Sequence, residues 1–290
     1  LPHGAFFGIG AVIAAKVSRK GREAQGIASM FAGFTVANVI GVPLGTYIGN
    51  TMHWGFSFYM VGAVGVLTFV GLLLWMPSLS AASETGSLPA GSGMRNGELW
   101  ALLVLTAVGT GGFFAWYGYI APLLIGVSGL TETTVSYAMV LAGLGMVGGN
   151  ILGARMAGWF RPVRAIAIGL SAMSLMLLLN ALLASDPFWV LVMCFVVGAV
   201  TFTLAAPIQL AIIEAAGGSA MLASSLNQSA FNIANALGAY LAGLPIALGF
   251  GVIYSGVVGA GLAAMGALIA AGIWYHKNRK SAAPQKGAKD

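Results

Sequence analysis

Charge is scarce in this sequence. Asp, Glu, Lys and Arg make up 7% of its 290 residues, against roughly a quarter in a soluble domain. With 59% of residues hydrophobic, a water-soluble globular fold is excluded. Stretches free of all four charged types run from Gly26 to Ala82, Leu99 to Thr131, Ala165 to Ser185, Pro187 to Ile213 and Ala215 to His276. Each exceeds the roughly 20 residues that cross a hydrocarbon core as a helix, and the longest hold two crossings or more. Period-two alternation is also missing, which excludes a membrane barrel and leaves helices. Cysteine is nearly absent: Cys194 is alone, so no intrachain disulfide and no cysteine-rich metal site exists. His3, His53 and His276 are scattered, and neither a metal cluster nor a nucleophile with its base is spelled out, so neither an enzyme nor a resident cofactor is expected.

Splitting the runs at turn signals gives nine segments. They run from the chain start to Ala15, Ala24 to Gly49, Phe56 to Met76, Leu99 to Val127, Thr134 to Trp159, Val163 to Ala184, Phe188 to Ile213, Met221 to Leu248, and Phe250 to Tyr275. The expected fold is all-α, a polytopic membrane helix bundle. No Asp, Glu, Lys or Arg lies deep in any of these spans, and Glu98 and Glu214 sit at span ends, where a solvated interface position is the simpler reading. The net charge of +6 would point to nucleic acid or acidic lipid in a soluble chain, but here its distribution decides. Lys16, Arg19, Lys20 and Arg22 fall in the first loop, Arg95 in the third, Arg155, Arg161 and Arg164 around the fifth, and Lys277, Arg279, Lys280, Lys286 and Lys289 in the tail. If the chain alternates across the membrane, every group is on one side, and the positive-inside rule makes that side cytoplasmic, with the C-terminus there. The lipid bilayer is then the acidic partner, and no nucleic acid is expected.

The stretch from Pro77 to Gly97, rich in Ser, Gly and Ala, reads as a cytoplasmic linker between two bundles, 1–76 and 98–275. The basic residues from 276 to 290 read as a disordered tail near anionic headgroups. Sliding the chain on itself by 197 residues lays "FTVANVIGVPLG" at Phe34 over "FNIANALGAYLA" at Phe231, matching Phe34 with Phe231, Ala37 with Ala234, Asn38 with Asn235, Gly41 with Gly238 and Leu44 with Leu241. Both copies run the same way through the membrane, the relation between six-helix halves in major facilitator transporters. The spans from Leu99 to Ala184 have no mates at that offset, and the chain opens on Leu inside an apolar segment. The expectation is a piece of a longer protein, holding helices four to twelve of twelve.

The segments "PHGAFFGIGAVIAA" at Pro2, "GFTVANVIGVPLGTYIG" at Gly33, "FFAWYGYIAPLL" at Phe113, "GLGMVGGNILGARMAG" at Gly143 and "FNIANALGAYLAG" at Phe231 resemble the drug and sugar efflux antiporters of the major facilitator superfamily, most closely the bacterial arabinose-efflux-like permeases. The resemblance implies the major facilitator fold, residence in a bacterial cytoplasmic membrane, a monomer, and proton-driven export of a small neutral or amphipathic substrate. It also marks Gly33, Asn38, Gly41, Pro43 and Gly45 as similar to the antiporter signature, although Val42 precedes Pro43 and Thr46 follows Gly45 where that signature carries glycines.

Each candidate residue admits two readings. Gly41 and Gly45 make either a tight seal between halves or ordinary small-residue packing, and Pro43 bends the helix in both. Asn38 and Asn235, being repeat mates, suit an interhelical hydrogen bond or substrate contact. Gln228, Phe231, Asn232 and Asn235 share a helix face that cannot face lipid, so it packs on protein or lines a cavity. Phe113, Trp116 and Tyr117 form an interfacial belt or the wall of the outer mouth, Tyr117 being preferred for the wall. His3, Asn150 and Gln209 bind substrate or pack. Arg155, Arg161 and Arg164 make a cytoplasmic gate or set topology alone.

Overall fold

The computed structural model describes residues 2–41, 44–45, 48, 52–75 and 95–282, and all of its regular elements are helical. The helices are α1 (Pro2–Val17), α2 (Glu23–Val36), α3 (Gly55–Trp75), α4 (Gly97–Gly109), α5 (Gly111–Tyr117), α6 (Ile120–Gly126), α7 (Glu132–Trp159), α8 (Pro162–Leu183), α9 (Pro187–Phe202), α10 (Ala205–Ala216), α11 (Ala220–Ala247) and α12 (Tyr254–Ala282). A π-helical turn, Ala37–Gly41, continues α2. Seven stretches are long and apolar enough to cross a membrane. One of these, Pro187–Ala247, turns back at Gly217 (φ +51°) and so holds two crossings, and Phe6–Val17 adds a short one. Among the described residues this makes nine, as the segment pattern requires.

Starts and stops follow from local chemistry. Asn96 accepts the Glu98 N–H at 3.0 Å, Thr131 that of Thr134 at 3.3 Å, and Asp186 those of Phe188 and Trp189 at 2.9 and 3.1 Å. Each satisfies amide donors that a helix start leaves unpaired. Pro162 and Pro187 open α8 and α9, where a missing N–H does no harm.

Interior breaks follow from proline too. A proline ring collides with the carbonyl four residues earlier and cannot bond to it. Pro207 therefore breaks the α9–α10 crossing at Thr203, and Pro122 breaks α5–α6 at Gly118. The π turn spans Val39, four residues before Pro43; Pro43 itself lies outside the described residues. Pro245 is two residues from the end of α11 and leaves that helix continuous.

The core is centred on α4 to α12. There α7 packs along α9, α8 along α12, and α11 along α5. Glycines allow the closest of these approaches: a Cβ on Gly145, Gly149 or Gly153 would strike the α9 backbone at Phe195, Ala199 or Thr203. The earlier helices join this core through α1 on α11 and α2 on α7 and α10. No residue of α3 is buried. The linker expected over Pro77 to Gly97 falls mostly outside the described residues, though Asn96 and Gly97 already belong to the start of α4. The first residues of the basic tail continue α12 through Ala282, with Lys277 paired to Glu98 at 2.5 Å and the Arg279 guanidinium 5.2 Å over the Tyr275 ring; the rest of the tail, 283–290, lies outside the described residues.

Candidate functional site

Between α1–α2 and the rest of the bundle lies a cavity of about 270 Å³. Phe7 of α1, Phe31 and Phe34 of α2 and Asn38 of the π turn form one side; Phe113, Phe114 and Tyr117 of α5 and Gln228, Phe231, Asn232 and Asn235 of α11 form much of the other. Thr110, Met146, Thr201, Phe202, Leu204 and Ala205 complete it, and no Asp, Glu, Lys, Arg or His is among these lining residues. The π turn, the Thr110 break and the Thr203 break all border this space. Irregular backbone is tolerated at membrane depth where it lines such a cavity.

The aromatic lining holds two groups of touching rings. Phe113 stacks on Tyr117 with centroids 4.9 Å apart, and Phe34 stacks on Phe202 at 5.8 Å, bridging α2 and α9. Asn38 donates its amide to the Phe34 carbonyl at 2.9 Å, which leaves its side-chain oxygen as an acceptor. Asn232 and Asn235 are both exposed to the space.

Of the expected lining residues, Phe113, Tyr117, Gln228 and Asn232 come together here. Trp116, Asn150 and Gln209 lie elsewhere, because each is taken up by a buried hydrogen bond. Trp116 Nε1 donates to Asn180 Oδ1 at 2.8 Å inside the core. Asn150 Nδ2 donates to the Ala28 carbonyl at 2.7 Å, joining α7 to α2. Gln209 donates to Ser224 Oγ at 2.7 Å and accepts from Asn227 at 2.9 Å. The His3 side chain lies outside the described residues. Asn38 and Asn235, weighed chiefly as scaffold, both reach the cavity, while Phe7, Phe31 and Phe202 carried no sequence signal that separates a cavity wall from a lipid-facing phenylalanine. The glycine row also differs from expectation. A Cβ at Gly33 or Gly45 meets nothing within 4 Å, and at Gly41 it meets only Ala37 of the same turn at 3.9 Å. The close approach falls instead on the repeat mate Gly238, against the backbone of Gly111 and Ala115, and on Gly8 against Ser225.

Toward the end of the bundle that carries the basic residues, Ile27 and Ala28 of α2 pack with Ala154 of α7 and Ala206 of α10, with Ala15, Phe31, Leu210 and Ile213 around them. This apolar plug and the Asn150–Ala28 hydrogen bond tie α2 to α7 and α10 on that side of the cavity.

The sequence pattern of the Major Facilitator Superfamily matches residues 1–239. The chain belongs to this superfamily. It is 34% identical over 270 residues to the inner membrane transport protein YdhP of Escherichia coli (strain K12), covering 93% of this chain and 69% of YdhP. It is 33% identical over 253 residues to AraJ of the same organism, covering 87% of this chain and 64% of AraJ. The chain thus spans about two thirds of the length of these relatives. The fold is similar to the crystal structure of the E. coli fucose:proton symporter FucP, with a TM-score of 0.71 at 14% identity over 91% of this chain and 72% of FucP.

In this superfamily member the three candidate gate arginines have distinct surroundings. Arg161 lines a second cavity, of about 590 Å³, with Glu98, Glu214, Lys277 and Trp274. Arg164 lies 5.1 Å over the Phe160 ring, and Arg155 is exposed. That cavity joins the start of α4, the start of α8, the end of α10 and the end of α12, which puts those chain ends on one face of the bundle.

Proposed function

We propose that this Major Facilitator Superfamily chain exports a small neutral or amphipathic molecule across the bacterial inner membrane by alternating access, with protons as the counter-moving ion. The observation that carries the reading is a cavity built from helices on both sides of the sequence repeat, with the apolar Ile27–Ala154–Ala206 plug packed toward one end of the bundle. A site of that kind is exposed alternately when the two groups of helices rock about it. An uncharged lining of phenylalanines and amides suits an uncharged solute, since an ion would lose its hydration there without gaining a partner. The clustering of Lys and Arg makes the plugged end cytoplasmic, and Arg161 and its neighbours belong to the inner gate.

The test is flux in proteoliposomes under an imposed pH gradient. Antiport predicts uphill solute movement opposite to the proton gradient, and ligand binding without flux overturns transport altogether. A second reading, facilitated diffusion without protons, is favoured by the absence of Asp, Glu and His from the lining residues; it predicts downhill flux that ignores the pH gradient.

A further inference from the structure

The 197-residue offset that relates the two sequence copies also relates the two sides of the cavity. Phe34 and Phe231 are repeat mates and both line it, and so are Asn38 and Asn235. A third pair lines it with different chemistry: Phe31 stands on α2 where its mate on α11 is Gln228. The cavity is therefore a two-fold scaffold with a shared ring and a shared amide, made amphipathic at one pair. Phe31 also stacks on Phe7, 5.9 Å between centroids, so the α2 side presents a broad aromatic face, whereas the α11 side presents amides. Side-chain amides offer both donors and acceptors, and aromatic faces favour a flat apolar partner.

We infer that the Phe31/Gln228 pair sets specificity, selecting an uncharged planar molecule with one aromatic face and one hydrogen-bonding edge, held at that edge by Asn38 and Asn235. The inference rests on the transport-site reading and narrows its substrate. The aromatic ring lies against Phe31 and Phe34, and its polar substituents face Gln228, Asn38 and Asn235. A polyol leaves hydroxyls unpaired against the phenylalanines, and an anion finds no cation among the described lining residues.

Calorimetry on the purified protein with 4-hydroxyacetanilide, D-xylose and 4-acetamidobenzoate tests this. The neutral aryl amide is expected to bind at least ten-fold tighter than the sugar or the carboxylate. Phe31→Gln, which copies the mate, should cut the preference for the aryl amide over D-xylose at least five-fold. Gln228→Leu should raise it, and serves where Phe31→Gln fails to fold. Asn38→Ala and Asn235→Ala should each weaken aryl amide binding at least five-fold. Equal or tighter binding of the sugar or carboxylate, or no binding of the aryl amide, overturns the substrate class. An unchanged preference in folded Phe31→Gln or Gln228→Leu overturns the role of the pair. Gradient-dependent flux of D-xylose or of the carboxylate without binding of the aryl amide would leave transport standing while this inference falls; absence of all flux with intact aryl amide binding would sink transport alone.

Discussion

At the scale of single residues, the side-chain amides divide into buried ones that hold the bundle and more open ones that face the cavity. The division turns on partners that are remote in sequence. Trp116 is fully buried and its indole N–H is spent on Asn180, whose own amide nitrogen finds no partner among the described residues. Removing one member of a buried pair leaves the other unsatisfied, which costs about 1–3 kcal/mol, whereas removing both to apolar groups costs far less. Trp116→Phe should therefore lower the thermal or denaturant midpoint, and Trp116→Phe with Asn180→Leu should recover part of the loss. Ligand affinity should move little in either variant. An affinity loss at unchanged stability would return Trp116 to the cavity wall. Nothing in the local sequence separates Trp116 from Tyr117: both are aromatic and adjacent, and only the 64-residue reach to Asn180 distinguishes them. Helical spacing did put Gln228 and Asn232 on one face, because periodicity reports the face directly.

At the scale of elements, three helix irregularities, at Val39, Gly118 and Thr203, lie four residues before Pro43, Pro122 and Pro207, and each lies next to a residue that lines the cavity: Asn38, Tyr117, and Phe202 with Leu204. That much was legible, since the steric rule for proline needs no tertiary information. The nine crossings were legible for the same kind of reason, hydrophobic length. Less legible was which glycines bring helices together, because a Gly-xxx-Gly row shows a smooth face and not what fills it. A Cβ at Gly41 or Gly45 would meet no neighbouring helix, whereas Gly149 abuts the Ala199 carbonyl so closely that a Cβ would strike backbone. Gly149→Ala should push α7 from α9 and destabilise by about 1–3 kcal/mol, read as a drop in unfolding midpoint; Gly33→Ala, in open space, should be close to neutral. Pro207→Ala restores an N–H that can bond to the Thr203 carbonyl and should straighten α9 into α10. The expected outcome is equal or greater thermal stability with slower flux, because the break places Phe202 and Leu204 on the cavity wall. Faster or unchanged flux would remove the break from the working site.

At the scale of the whole molecule, the proposed alternating access makes the contacts at the basic end those that must be undone for the cavity to open there. The plug is made of small and medium apolar side chains across α2, α7 and α10, with one directional bond across it, from Asn150 to the Ala28 carbonyl. Asn150 is 3% exposed and its Oδ1 accepts nothing among the described residues, so this amide is only half satisfied in this arrangement. A modest stabilisation from a single hydrogen bond, about 0.5–1.5 kcal/mol, shifts a two-state population by roughly two- to twelve-fold. Asn150→Ala should therefore raise the fraction open at the basic end by about that factor. A reporter is at hand because Cys194 is the one cysteine and is buried: with Cys194→Ala as background, Ala206→Cys places a thiol inside the plug. In inside-out vesicles, where the cytoplasmic face is outermost, a membrane-impermeant maleimide should label that thiol slowly, and faster once Asn150→Ala is added. In right-side-out cells the added substitution should not accelerate labelling. Acceleration from the outer face instead would invert the orientation inferred from Lys and Arg, and unchanged labelling from both would mean that the Asn150–Ala28 bond persists when the transporter opens.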